Sequence, residues 1–140
     1  SLSEAVVFFD RELSKEFDYR CKQAGQLAAK MRFSSAPWAA CLQDGIWLRH
    51  AAHANRAARE LATRLGAVPG VEIVRPVAAN AVFAALSPKV HARLQDGGWK
   101  YYEFIGGAAR LMTSWRTAEE DITQFVESAT GSYGQGEAFT

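Results

Sequence analysis

The sequence predicts an α+β fold: an opening strand with helices, one long linking helix, then a small domain whose antiparallel sheet carries helices on one face. Three observations predict it. Residues 5–9, AVVFF, are apolar at every position, which suits a strand covered on both faces. Residues 45–65 keep an apolar stripe at alternating spacings of four and three, longer than any other periodic stretch. After Pro69-Gly70, apolar runs and helical stripes follow in the order β-β-α-β-β-α, which argues for an antiparallel sheet. The expected divisions are 1–40, 41–130 and a mobile, glycine-rich tail at 131–140.

Each element has its own signals. Asp10 is a helix cap, and Leu13, Phe17, Cys21 and Ala24 form one stripe that Gly25 ends or bends. Leu27, Ala28 and Met31 begin a second stripe, and Pro37-Trp38 restart the chain after Ser34-Ser35. Asp44 is the expected N-cap of the long helix. Trp47, Ala51, Ala54, Ala58, Leu61 and Leu65 mark its inner face; Arg49, His53, Arg56, Glu60 and Arg64 mark its outer face. Gly66 closes it. Strands are expected at 71–74, 80–86, 99–104 and 108–114, with Pro76 interrupting the first. Between the second and third, Ser87-Pro88 starts a helix with Val90 and Leu94 inside, and Gly97-Gly98 stops it. Thr117 and Glu120 read as a capping box for a final helix that turns Ala118, Ile122, Phe125, Val126 and Ala129 inward.

Composition narrows the function. The 140 residues are 49% apolar and 22% charged, with a net charge of +1, so nothing points to a nucleic-acid partner. No run approaches the roughly 20 apolar residues of a membrane span. Cys21 and Cys41 suggest no disulfide framework, and a reducing cytoplasm is the expected location. His50 and His53 lie three apart on the long helix, but no nearby carboxylate or cysteine completes a metal set, so no metal is expected. Neither cysteine has the base that a nucleophile needs, and His91 reads as a helix-surface residue. The arginines of the long helix are diluted by Glu60 and read as a solvated face.

Arg110 differs. It stands inside the expected strand 108–114, beside Leu111 and Met112. An arginine there either alternates out to solvent or meets an anion, because a half-buried guanidinium is costly to desolvate unpaired. Its planar fork suits a carboxylate held by two parallel hydrogen bonds.

The surrounding residues, GGAARLMTSWRTAEEDI at 106–122, resemble the C-terminal strand-to-helix signature of the threonine aldolase and β-eliminating lyase family. YRCKQAGQLAAKMRF at 19–33 resembles the helix pair after that family's cofactor lysine, and EAVVFFD at 4–10 resembles the strand that leaves it. The three lie in family order. The resemblance implies a pyridoxal-phosphate lyase of the aspartate-aminotransferase fold type, with residues 1–40 as the end of the large cofactor-binding domain. It implies that Arg110 grips the substrate α-carboxylate, and that Lys22 stands near the cofactor phosphate or a subunit boundary. It implies a homodimer or homotetramer acting on an amino acid. The family's Schiff-base lysine sits in a short glycine-flanked turn, and none of Lys15, Lys22, Lys30, Lys89 and Lys100 matches that setting. The chain therefore reads as the C-terminal portion of an enzyme, inactive alone, with no catalytic residue of its own. Threonine cleavage to glycine and acetaldehyde is the implied reaction. A β-eliminating lyase, or a non-catalytic oligomerisation or ligand-binding module, is the alternative. Arg116 stands where the family more usually has a smaller or acidic residue.

Overall fold

The computed structural model describes residues 5–104 and 106–132. Most of the expected tail, 133–140, and the first residue of the EAVVFFD stretch, Glu4, lie outside them. The chain divides into two compact units, Ser1–Trp47 and Leu48–Thr140.

In the first unit the expected strand at 5–9 is absent. Val6, Val7 and Phe9 are exposed. A strand exists only where a neighbour takes its ladder hydrogen bonds, and the described residues of this unit offer none. The helix expected from Asp10 is shortened. The Asp10 carboxylate accepts from the Glu12 N–H at 2.9 Å, but Arg11, not Asp10, is the N-cap of the single 3-10 turn that forms, Glu12–Ser14. Helix α1 follows at Phe17–Gln23, and Gly25 ends it with a φ of +68°. Phe8 and Phe17 meet edge to face at 4.9 Å. Helix α2, Arg32–Leu42, runs straight through Pro37 rather than restarting there. It forgoes the bond Pro37 cannot donate, while the Ser34 and Ser35 N–H groups both reach the Met31 carbonyl. Asp44 is not a conventional cap: it sits at φ +52° in a 3-10 turn.

After the long helix, the second unit holds its elements in the expected order, β-β-α-β-β-α. Helix α3, Ile46–Gly66, buries Ala54, Ala57, Ala58, Leu61 and Leu65. The expected inner face fails at Trp47 and Ala51, which are exposed. Four antiparallel strands, β1 (Val71–Ile73), β2 (Ala81–Leu86), β3 (Tyr102–Glu103) and β4 (Ala109–Met112), lie in the order β1-β2-β4-β3. Helix α4, Pro88–Asp96, is capped by Ser87 and buries Val90 and Leu94. Helix α5, Glu119–Thr130, buries Ile122, Phe125 and Ala129. These helices meet Val82, Ala84, Ala109 and Leu111 in one apolar cluster. Period-two alternation puts Phe83, Arg110 and Met112 on the opposite face of the sheet.

The last helix and the third strand both depart from expectation. The final helix starts one residue late. Asp121, not Glu120, accepts the N-cap N–H, that of Ala118, at 2.8 Å, while Thr117 Oγ1 accepts from the Ser114 N–H. Ala118 is consequently exposed. The third strand pairs at only two residues, because Trp99 turns away to pack on Phe125 and to bond Ser128 through its indole N–H at 2.9 Å.

Candidate carboxylate-binding site

Strand β4 begins after a tight reversal. Gly106 and Gly107 both adopt positive φ, +91° and +79°, conformations that side chains disfavour. The reversal brings Tyr102 opposite Arg110 and Glu103 opposite Ala109. On the other side Phe83 of β2 stands opposite Arg110, and its ring meets Phe104 edge to face at 5.4 Å. Arg110 is half-buried between neighbours of this kind.

The far end of β4 is latched. Thr113 is buried, and its hydroxyl donates to the Ala54 carbonyl of α3 at 2.8 Å. The Thr113 N–H reaches the Asn80 carbonyl at 3.0 Å, and the Asn80 amide returns a bond to the Thr113 carbonyl at 2.8 Å. The next turn is tied to the same helix. His53 Nε2 donates to the Thr117 carbonyl at 2.8 Å, and Trp115 stacks on His50 at 5.2 Å. The Thr-Ser-Trp part of the stretch thus fixes the strand that carries the arginine, and the two histidines serve that packing.

Because β3 leaves β4 early, a cleft of about 560 Å³ opens where the strands diverge. Arg110, Lys100, Tyr101 and Tyr102 line one part of it, and Thr113 and Asp121 another. Arg110 Nε is buried and has no hydrogen-bond partner among the described residues. No carboxylate among them pairs with this guanidinium, whereas Arg64 finds Glu60 at 3.4 Å and Thr123 at 2.9 Å. A buried, unsatisfied N–H on a cation costs on the order of 1–3 kcal/mol or more, so such a group points to a missing acceptor. An anion with two coplanar oxygens answers both the charge and the geometry of the fork. Among the described residues no group of three His, Cys, Asp or Glu side chains could hold a metal ion.

Lys22 lies exposed on α1, in the first unit, and makes no ion pair among the described residues. Sequence reasoning singled out Arg110 but missed Thr113 and Asn80. The signal for Thr113 was its place two residues after the inward Leu111. It also assigned His53 to the outer face, although this side chain is half-buried and bonded to Thr117.

No family model matches the chain. It is 53% identical over 127 residues to the low specificity L-threonine aldolase of a Pseudomonas species, and 54% identical over the same length to that of Pseudomonas aeruginosa. In each case the match takes in 90% of this chain and 37% of the relative. A solved structure of threonine aldolase from Leishmania major superposes with a TM-score of 0.74 at 28% identity, covering 87% of this chain and 36% of that one. The chain thus spans little more than a third of the length of the relatives it matches, and over that span it is similar, in sequence and in fold, to threonine aldolases.

Proposed function

We propose that this chain supplies the substrate-carboxylate grip of a lyase that cleaves the Cα–Cβ bond of β-hydroxy-α-amino acids such as threonine. The observation that carries the reading is the buried, partnerless Nε of Arg110 at the wall of an open cleft. A non-catalytic module would be expected to close Arg110 with its own side chains, and the orphaned nitrogen speaks against that. A β-eliminating lyase would hold the same carboxylate, and no residue here favours it.

The described residues do not by themselves make a pyridoxal phosphate site. No lysine stands in a glycine-flanked turn; Lys89 is on α4, and Lys100 lies at the Arg110 cleft. In the whole enzyme the cofactor would act as electron sink, bound by a lysine outside this chain. Lys22, if it contributes, does so at the phosphate or a subunit boundary. The share of this chain is orientation. A carboxylate held by two parallel bonds cannot rotate freely, so Arg110 fixes which bond at Cα faces the reacting system. Residues 1–40 belong to the cofactor-binding domain in this reading, and 41–130 to the long helix and small domain. A cytoplasmic homodimer or homotetramer is part of the same proposal.

The test is substitution of Arg110 in the full-length enzyme. Arg110→Ala is expected to cost roughly 2–5 kcal/mol in kcat/KM for threonine, as when one partner of a buried charge pair is removed. Arg110→Lys should also be poor, since an ammonium cannot copy the fork. Near-wild-type kcat/KM in either variant removes the assignment.

A further inference from the structure

We propose that Tyr101 and His91, backed by Glu103, form a positioning clasp that holds the wall of the Arg110 cleft in place. The proposal rests on the carboxylate reading of Arg110. The wall is the segment 99–102, and strand pairing alone secures it poorly, because β3 is two residues long. Tyr102 is the register partner of Arg110, so a shift of its neighbour Tyr101 moves the residue paired with Arg110 across the strands.

Tyr101 does not hang free. It packs against the core cluster, and its hydroxyl lies 2.8 Å from His91 Nδ1 on α4. The two rings meet edge to face at 5.7 Å. The other ring nitrogen of His91, Nε2, lies 3.7 Å from a Glu103 carboxylate oxygen. One tautomer fits this chain of contacts: the tyrosine hydroxyl donates to Nδ1, and Nε2–H faces the carboxylate. Burial, and then the charge of Glu103, hold the Tyr101 hydroxyl above its ordinary pKa of 10.0, so it stays a donor. The anchor itself is firm, since α4 buries Val90 and Leu94 on either side of His91 in sequence. A helix fixed in the core thus reaches through an imidazole to Tyr101, a cleft-lining residue just before the two-residue strand β3.

Neither Tyr101 nor His91 need touch the substrate for this; they act through Tyr102 and Arg110. The experiment uses the full-length protein loaded with pyridoxal phosphate, with glycine binding measured by calorimetry and threonine cleavage by steady-state kinetics. Tyr101→Phe and His91→Leu are expected to weaken glycine binding and raise KM about three- to tenfold, the effect of one hydrogen bond, with kcat within about twofold. His91→Asn, whose amide oxygen can accept at the place of Nδ1, is expected to restore most of the loss. A general folding defect would instead lower kcat and active fraction together, without rescue by asparagine, and would overturn the clasp. If Arg110→Ala loses glycine binding while Tyr101→Phe keeps it, the clasp alone is wrong. If Arg110→Ala also leaves glycine binding intact, the carboxylate reading fails and the clasp with it.

Discussion

The two units of the chain carry similar side chains and use them differently. In Leu48–Thr140, Leu65 and Leu94 are 0% exposed, and helices and sheet share one apolar cluster. In Ser1–Trp47, no described residue is buried, and Leu13 and Phe33 are each 72% exposed. An apolar stripe becomes a core only when a second layer covers it. The later unit contains both layers. The described part of the earlier one contains helices without a layer to cover them, and its opening apolar run forms no strand.

Substitutions can break or sharpen this contrast. The largest expected effect is Leu94→Ala, which removes a wholly buried side chain and should destabilise the second unit by about 2–5 kcal/mol. The same change at exposed Leu13 should stay within about 0.5 kcal/mol in this chain. Urea unfolding of both variants gives the comparison directly, and equal losses would erase the distinction. Next comes Thr113→Val. It keeps the shape but removes the Thr113 hydroxyl's bond to the Ala54 carbonyl, which keeps its helical donor, at a cost of about 0.5–1.5 kcal/mol. Asp121→Ala should cost about 0.5–1 kcal/mol, because α5 loses the acceptor for the Ala118 N–H; Glu120→Ala should cost less. The ordering of those two tests where the helix begins.

The smallest effect is a pH dependence. The Tyr101 pKa is raised on folding, so the folded state holds this proton more tightly than the unfolded chain. Its contribution is present below pH 10.0 and is lost as pH rises through the folded value. The stability difference between the chain and its Tyr101→Phe variant should therefore be constant at neutral pH and shift in favour of the variant above that point. Urea midpoints at pH 9 and pH 11 measure it.

The legible features were those governed by neighbours in sequence. The period of residues 45–65 placed α3 to within a residue, and Ser87-Pro88 marked the start of α4. Arg110 stood out as a cation inside an apolar run, but the pattern alone fitted an arginine turned to solvent as well as one meeting an anion, and the resemblance of its surroundings supplied the role. What sequence could not reveal depends on contacts between distant residues. Trp99 leaves the sheet for Ser128, 29 residues on, which halts β3 and opens the cleft. Thr113 reaches Ala54 across 59 residues, and Thr117 reaches His53 across 64. The strand at 5–9 failed for the same reason in reverse, since its composition asked for neighbours that the described residues do not supply.

The most direct test of the central claim compares two ligands that differ only at the acid group. Glycine and glycinamide should bind the full-length, cofactor-loaded enzyme very differently, with the carboxylate preferred. In Arg110→Ala that preference should vanish, with glycine falling to the level of the amide. If the variant still prefers glycine as strongly as the unsubstituted enzyme does, Arg110 does not hold the carboxylate.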